Sequence, residues 1–121
     1  ADYAQLERVV YNLLENVTRH SPRHTEIQLH IDTLAQKALP AGLPETALRG
    51  VRVRVIDQGP GIPVEEQERI FRSFYSLDAH GNGLGLAICR GIVEAHQGRI
   101  WVESGTAGGS CFVFVLPITS V

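Results

Sequence analysis

Leu6, Val9, Val10, Leu13, Leu14 and Val17 recur three and four residues apart near the start of the chain. That is the spacing of one face of an α-helix, and it predicts an amphipathic helix over residues 3–19. Asn12, Asn16 and Arg19 form a second stripe on the same helix. At about 100° per residue this stripe lies roughly a third of a turn from the apolar centre. It therefore borders the core, where polar groups can line a pocket. Ser21-Pro22 ends the helix, because a residue before proline is pushed out of helical backbone. Alternation then replaces helical spacing. Ile27, Leu29 and Ile31 against Gln28 and His30 predict a strand over residues 25–31. Residues 34–49, with Pro40, Gly42 and Pro44, read as a long loop holding a helical turn. Val51, Val53 and Val55 alternate with arginines and run into Ile56-Asp57, a second strand.

The second half again runs from helical spacing to alternation. Pro63 with Glu65 and Glu66 suits a helix start, proline at the first position and acids in the first turn. Ile70, Phe71 and Phe74 supply that helix's apolar side, and residues 75–83 form a glycine-rich polar loop. Leu84, Ala87, Ile88, Ile92 and Ala95 mark a further helix, with Gly98 as its stop. Residues 99–103 and 111–118 are strands joined across residues 105–109, an antiparallel hairpin. The predicted fold is α+β: a two-layer sandwich with a mixed, mostly antiparallel sheet covered on one face by about three helices.

Composition narrows the class without naming a function. A length of 121 residues with 44% hydrophobic content fits one globular domain, residues 1–121. A formal charge of −2 supplies no basic field to draw nucleic acid or a membrane surface. Cys89 and Cys111 fall inside a helical and a strand pattern and are expected to be buried, reduced thiols of a cytoplasmic protein. No apolar run is long enough to cross a bilayer. The chain opens directly in helix without an initiator methionine, and the expectation is a domain excised from a longer protein, the cytoplasmic part of a membrane-bound sensor being one such parent.

Three stretches carry chemistry. Gly81-Asn82-Gly83-Leu84-Gly85-Leu86 runs into a helix. A glycine turn at a helix N-terminus presents free N–H groups and partial positive charge to an anion, most often phosphate. Asp57-Gln58-Gly59-Pro60-Gly61 ends a strand. A carboxylate there can accept a hydrogen bond from the exocyclic amine of adenine, while flanking glycines let a flat base approach. The first helix carries Asn12, Glu15, Asn16, Arg19 and His20, and an asparagine oxygen is a hard ligand suited to magnesium that bridges phosphates. Each stretch also has a plain reading: a polar helix edge, a turn-capping aspartate, a bare turn.

Together they resemble the catalytic ATP-binding domain of sensor histidine kinases, part of the group that includes DNA gyrase, the Hsp90 chaperones and MutL. Residues 12–21 look like the N box of that family, 57–62 its first glycine box, 70–75 its F box, 81–88 its second glycine box and 109–117 its closing strand. The resemblance implies the Bergerat ATP-binding fold, ATP and Mg2+ as cofactors, and Asn16 as magnesium ligand. It implies Asp57 as adenine acceptor, with Gly59, Gly61 and Ile62 beside the base. Arg19 and His20 would stand near the phosphates and ribose, Gly81, Gly83, Leu84, Gly85 and Leu86 at the phosphates, and residues 72–82 as a lid over ATP. Asn12 and Glu15 are the expected catalytic pair. In related hydrolysing ATPases a glutamate one turn before the metal asparagine activates water; here that position is Asn12, an amide that takes no proton. Glu15 is set about 100° round from Asn16 and is expected to act on a histidine brought from outside. The partner so implied is the kinase's histidine-bearing dimerisation domain, with a response regulator reached indirectly.

The chain departs from the family in three ways. The segment between Phe74 and Gly83 is short, Arg72 stands where an acid is usual, and no histidine sits in an acceptor motif. Three rival readings compete. One is an ATP hydrolase of the wider group. Another is a dinucleotide-binding unit, disfavoured because Leu86 occupies the third glycine position of that fingerprint. The last is a non-catalytic interaction module that has kept the fold and lost nucleotide, disfavoured by the intact Asn16, Asp57 and glycines; a nucleotide-binding regulatory module stays open beside the hydrolase.

Overall fold

The apolar stripe of the first helix buries as its spacing requires. In the computed structural model, which describes residues 3–20, 25–59, 61–71, 84–104 and 109–119, helix α1 runs Tyr3–His20. Val9, Leu13 and Val17, four apart, are at most 1% exposed, whereas Tyr11 on the far side is 63% exposed. Four strands follow the helix in pairs: β1 Gln28–Ala35, β2 Arg49–Ile56, β3 Arg99–Ser104 and β4 Ser110–Ile118. Between the pairs lie α2, Val64–Gln67, a 3-10 turn at Arg69–Phe71, and α3, Leu84–Ala95. The sheet order is β1-β2-β4-β3, so the last strand in the chain sits inside and β1 and β3 are the outer strands. Each neighbouring pair is antiparallel.

β4 explains why its sequence reads as an unbroken apolar run. Phe112 and Phe114 face the helices and join Val9, Leu13, Val17, Val53, Val55, Ile70, Phe71, Leu86, Cys89 and Val93 in the main core. Cys111, Val113 and Val115 face the other way, under Leu34, Leu39, Leu43, Ile56 and Trp101. A strand buried on both faces needs no polar alternation. The second cluster exists because the β1–β2 connection folds back over the sheet. Leu39 presses so close to Gly50 that a Cβ there would stand 2.7 Å from its Cδ2. Gln36 Nε2 donates to the Ala47 carbonyl at 3.1 Å, and Leu48 N–H donates to Ile118 at 2.8 Å.

Several boundaries differ from the sequence reading. The expected strand at 25–31 is displaced to Gln28–Ala35, and the second begins at Arg49 rather than Val51, because cross-strand pairing from Gln28↔Ile56 to Ala35↔Arg49 holds both. The expected loop from residue 34 therefore starts later, with a 3-10 turn at Gln36–Ala38. Pro63 caps α2 with extended backbone instead of opening it, and the helix is one turn long. The sheet expected to be mixed is antiparallel throughout among the described residues. Gly98 does stop α3, but Gln97 takes the left-handed backbone, φ 64°. Gly98 N–H closes the turn on the Val93 carbonyl at 2.9 Å, a Schellman arrangement. Glycine is needed at 98 because a Cβ would lie 2.3 Å from the Val115 carbonyl oxygen. The loop at 105–108 lies outside the described residues.

Phe112 meets Phe71 edge-on, centroids 6.4 Å apart at 78°, and is 1% exposed. Phe112→Ala is expected to cost about 3–5 kcal/mol of stability, read from the urea midpoint. Cys89, buried where α3 meets α1, has its thiol pushed up to about 11 by burial. Its proton is kept on folding, so its contribution to stability is whole below the usual thiol range near 9 and is lost as pH rises through about 11. Alkylation at pH 8 should be at least about a hundredfold slower in the native than in the unfolded chain, since thiolate is the reactive form. Equal rates would place Cys89 at the surface.

Candidate functional site

Asp57 follows the last residue of β2 and is buried, 6% exposed. Burying a carboxylate is costly unless donors surround it, and three do. Gly59 N–H donates to Oδ1 at 2.7 Å, Ser110 N–H to Oδ1 at 3.3 Å, and Ser110 Oγ to Oδ2 at 2.7 Å. The Asp57 N–H donates in turn to the Ser110 carbonyl at 3.0 Å, carrying the β2–β4 ladder one residue past Ile56↔Cys111. A carboxylate offers about four acceptor sites, so with respect to the described residues Asp57 retains capacity for one further donor, on Oδ2. Gly109 makes this approach possible: a Cβ there would fall 1.9 Å from the Asp57 carbonyl oxygen. Gly61 completes the turn with φ 79°, backbone that glycine adopts without strain.

The helical part of the constellation is split. Asn12 and Asn16 are half-buried and Glu15 is exposed, so the two amides do border the core. Asn12 reaches the Cys89 thiol, and that thiol donates to the Val9 carbonyl at 3.7 Å. The first helix and the helix of the second glycine box thus meet at Asn12. Ile62 is half-buried against the core, and its carbonyl accepts from Gln67 Nε2 at 3.1 Å. The Leu86 side chain is in the core, 7% exposed, which leaves its backbone as the part able to face a ligand. Arg19 and His20 close α1 and Leu84 and Gly85 open α3, but their side chains lie outside the described residues. Gly81, Gly83, Phe74 and the expected lid at 72–82 lie outside them too.

Ser110 was not legible as a site residue. Its two bonds to Asp57 span 53 positions, and nothing local in Gly109-Ser110 signals a carboxylate partner. The signal available was register: a closing strand paired with β2 sets its first residue beside the residue after Ile56.

A buried carboxylate with an acceptor position free among the described residues, and glycines on either side of it, has the chemistry to take a further donor such as an exocyclic amine. Among the described residues no group of three or more His, Cys, Asp or Glu is placed to hold a metal ion. An asparagine oxygen is a hard donor of the kind magnesium takes, and Asn16 carries one.

The chain is 40% identical to the adaptive-response sensory kinase SasA of Thermosynechococcus vestitus over 98% of its own length, and 42% identical to that of Synechococcus sp. strain CC9311. It spans 29% of the length of each of these relatives. The catalytic domain of the histidine kinase ThkA has a similar structure, with TM-score 0.76, 34% identity, and 97% of this chain and 68% of that one covered. The mycobacterial sensor histidine kinase MprB gives 0.77 with 29% identity, covering 97% and 72%. Full-length ShkA, solved with AMPPNP, gives 0.76 with 26% identity, covering all of this chain and 23% of that one. The sequence pattern described as histidine kinase-, DNA gyrase B- and HSP90-like ATPase matches residues 1–120, and the chain belongs to that family.

Proposed function

We propose that this domain binds ATP with magnesium and presents the γ-phosphate to a histidine on a separate dimerisation domain of a sensor kinase. The observation that carries the reading is Asp57, a buried carboxylate with three donors fixed around it and one acceptor position left for an exocyclic amine. Ser110 and Gly59 orient Asp57; Gly61 and Ile62 flank the base. Asn16 holds magnesium, which neutralises phosphate charge when bound. The phosphate role falls to Arg19, His20 and the backbone at the start of α3, as the family resemblance implies. Asn12, tied to Cys89, cannot take a proton from water, and Glu15 faces outward, where an incoming histidine can meet it. The bond to the γ-phosphate then passes to the histidine nitrogen, with ADP as leaving group. The likeness to SasA, ThkA and MprB supports this over hydrolysis. The response regulator is reached only through that histidine. No helix among the described residues is long and apolar enough to cross a membrane.

Losing one hydrogen bond to a charged acceptor costs about 1.5–3 kcal/mol. Asp57→Ala should weaken ATP by roughly tenfold to more than a hundredfold; full affinity in a folded variant would remove Asp57 from the base site. Asn16→Ala should weaken ATP strongly in magnesium and little in EDTA, by calorimetric titration, and equal losses would remove it from the metal site. Incubated with γ-labelled ATP, the domain alone should release little phosphate and label nothing on itself. Label should appear on the histidine of an added dimerisation domain and vanish with Asn16→Ala. Brisk phosphate release by the domain alone would favour the hydrolase reading.

A further inference from the structure

The base end and the phosphate end of this site are carried by different elements, and a short bridge joins them. Ile62, just past the Asp57–Gly61 turn, accepts from Gln67 of α2 at 3.1 Å. Glu68, the residue that closes α2, accepts from an Arg90 guanidinium nitrogen at 2.9 Å. Arg90 lies on α3, and its Nε donates to Glu94 at 3.3 Å. The 3-10 turn that follows Glu68 is anchored by Ile70 and Phe71, both buried, so the bridge is backed by core packing and not carried on a loose loop.

We propose that the Glu68–Arg90 ion pair is a positioning contact that sets the distance between the base-binding turn at Asp57 and the phosphate-binding start of α3. This rests on the nucleotide reading above. Side chains 35% and 70% exposed make a pair of small value to global stability. Its place is what matters, because it ties the element beside the base to the element at the phosphates. A ligand that spans both ends senses their spacing, and one that touches only the base end does not.

The test is a double-mutant cycle on ATP and adenosine binding, followed by heteronuclear chemical-shift titration with a thermal melt of each variant. Glu68→Gln and Arg90→Gln should each weaken ATP about twofold to fivefold, and the double variant no further. Adenosine should bind all of them as it binds the wild type. Glu94→Gln, which leaves the bridge intact, should leave ATP unchanged. Unaltered ATP affinity in Arg90→Gln, additive losses in the double variant, or equal losses for ATP and adenosine would each overturn the positioning role. Failure of the wild type to bind either ligand would instead overturn the nucleotide reading itself.

Discussion

A carboxylate is buried at the end of β2, and the surrounding structure is arranged to make that tolerable. Removing Asp57 from water forfeits its hydration, and the replacement donors must come from both sides of a strand pair. Gly59 supplies one from the same turn, and Ser110 supplies two from β4. The second source exists only if β2 and β4 pair in the observed register, Ile56 opposite Cys111. A slip of one residue would turn Ser110 to the other face of the sheet and leave the charge uncompensated. Register, core and site are therefore a single condition: the alignment that sends Phe112 and Phe114 into the main core also sets Ser110 against Asp57.

Helix α1 was legible almost to the residue because its apolar spacing is long and regular, and packing against α3 and β2 leaves the period unchallenged. The rim position of Asn12 and Asn16 followed from the same arithmetic. β1 was misplaced because its signal is weak on one side. Leu29 and Ile31 are 45% and 66% exposed, so alternation there does not mark burial, and the strand's limits come from pairing with β2. The 36–48 connection read as loop because nothing in Leu39 or Leu43 announces a second apolar cluster; only a strand buried on both faces creates the demand for it.

At the site the division is between local and distant partners. Asp57 with Gly59 and Gly61 is a local turn and could be read directly. Ser110 and Gly109 act across the sheet, and single-residue reasoning reaches them only after topology is known. Gly98 was legible as the helix stop, but the left-handed residue is Gln97, and position 98 is held to glycine by Val115, which lies against it.

Every residue of β4 from Ser110 to Val115 is buried, and both of the strand's edges are paired. A strand clamped above, below and on both sides has no soft direction in which to yield. Ser110 is its first residue, so Asp57 takes its position from a strand buried on both faces and paired on both edges. The amide-bearing helix and α3 are referred to that frame through core side chains such as Val9, Leu13 and Val93, which pack in one cluster with Phe112 and Phe114. On the proposed reading, fidelity for the base at Asp57 has its mechanical origin in a strand buried on both faces.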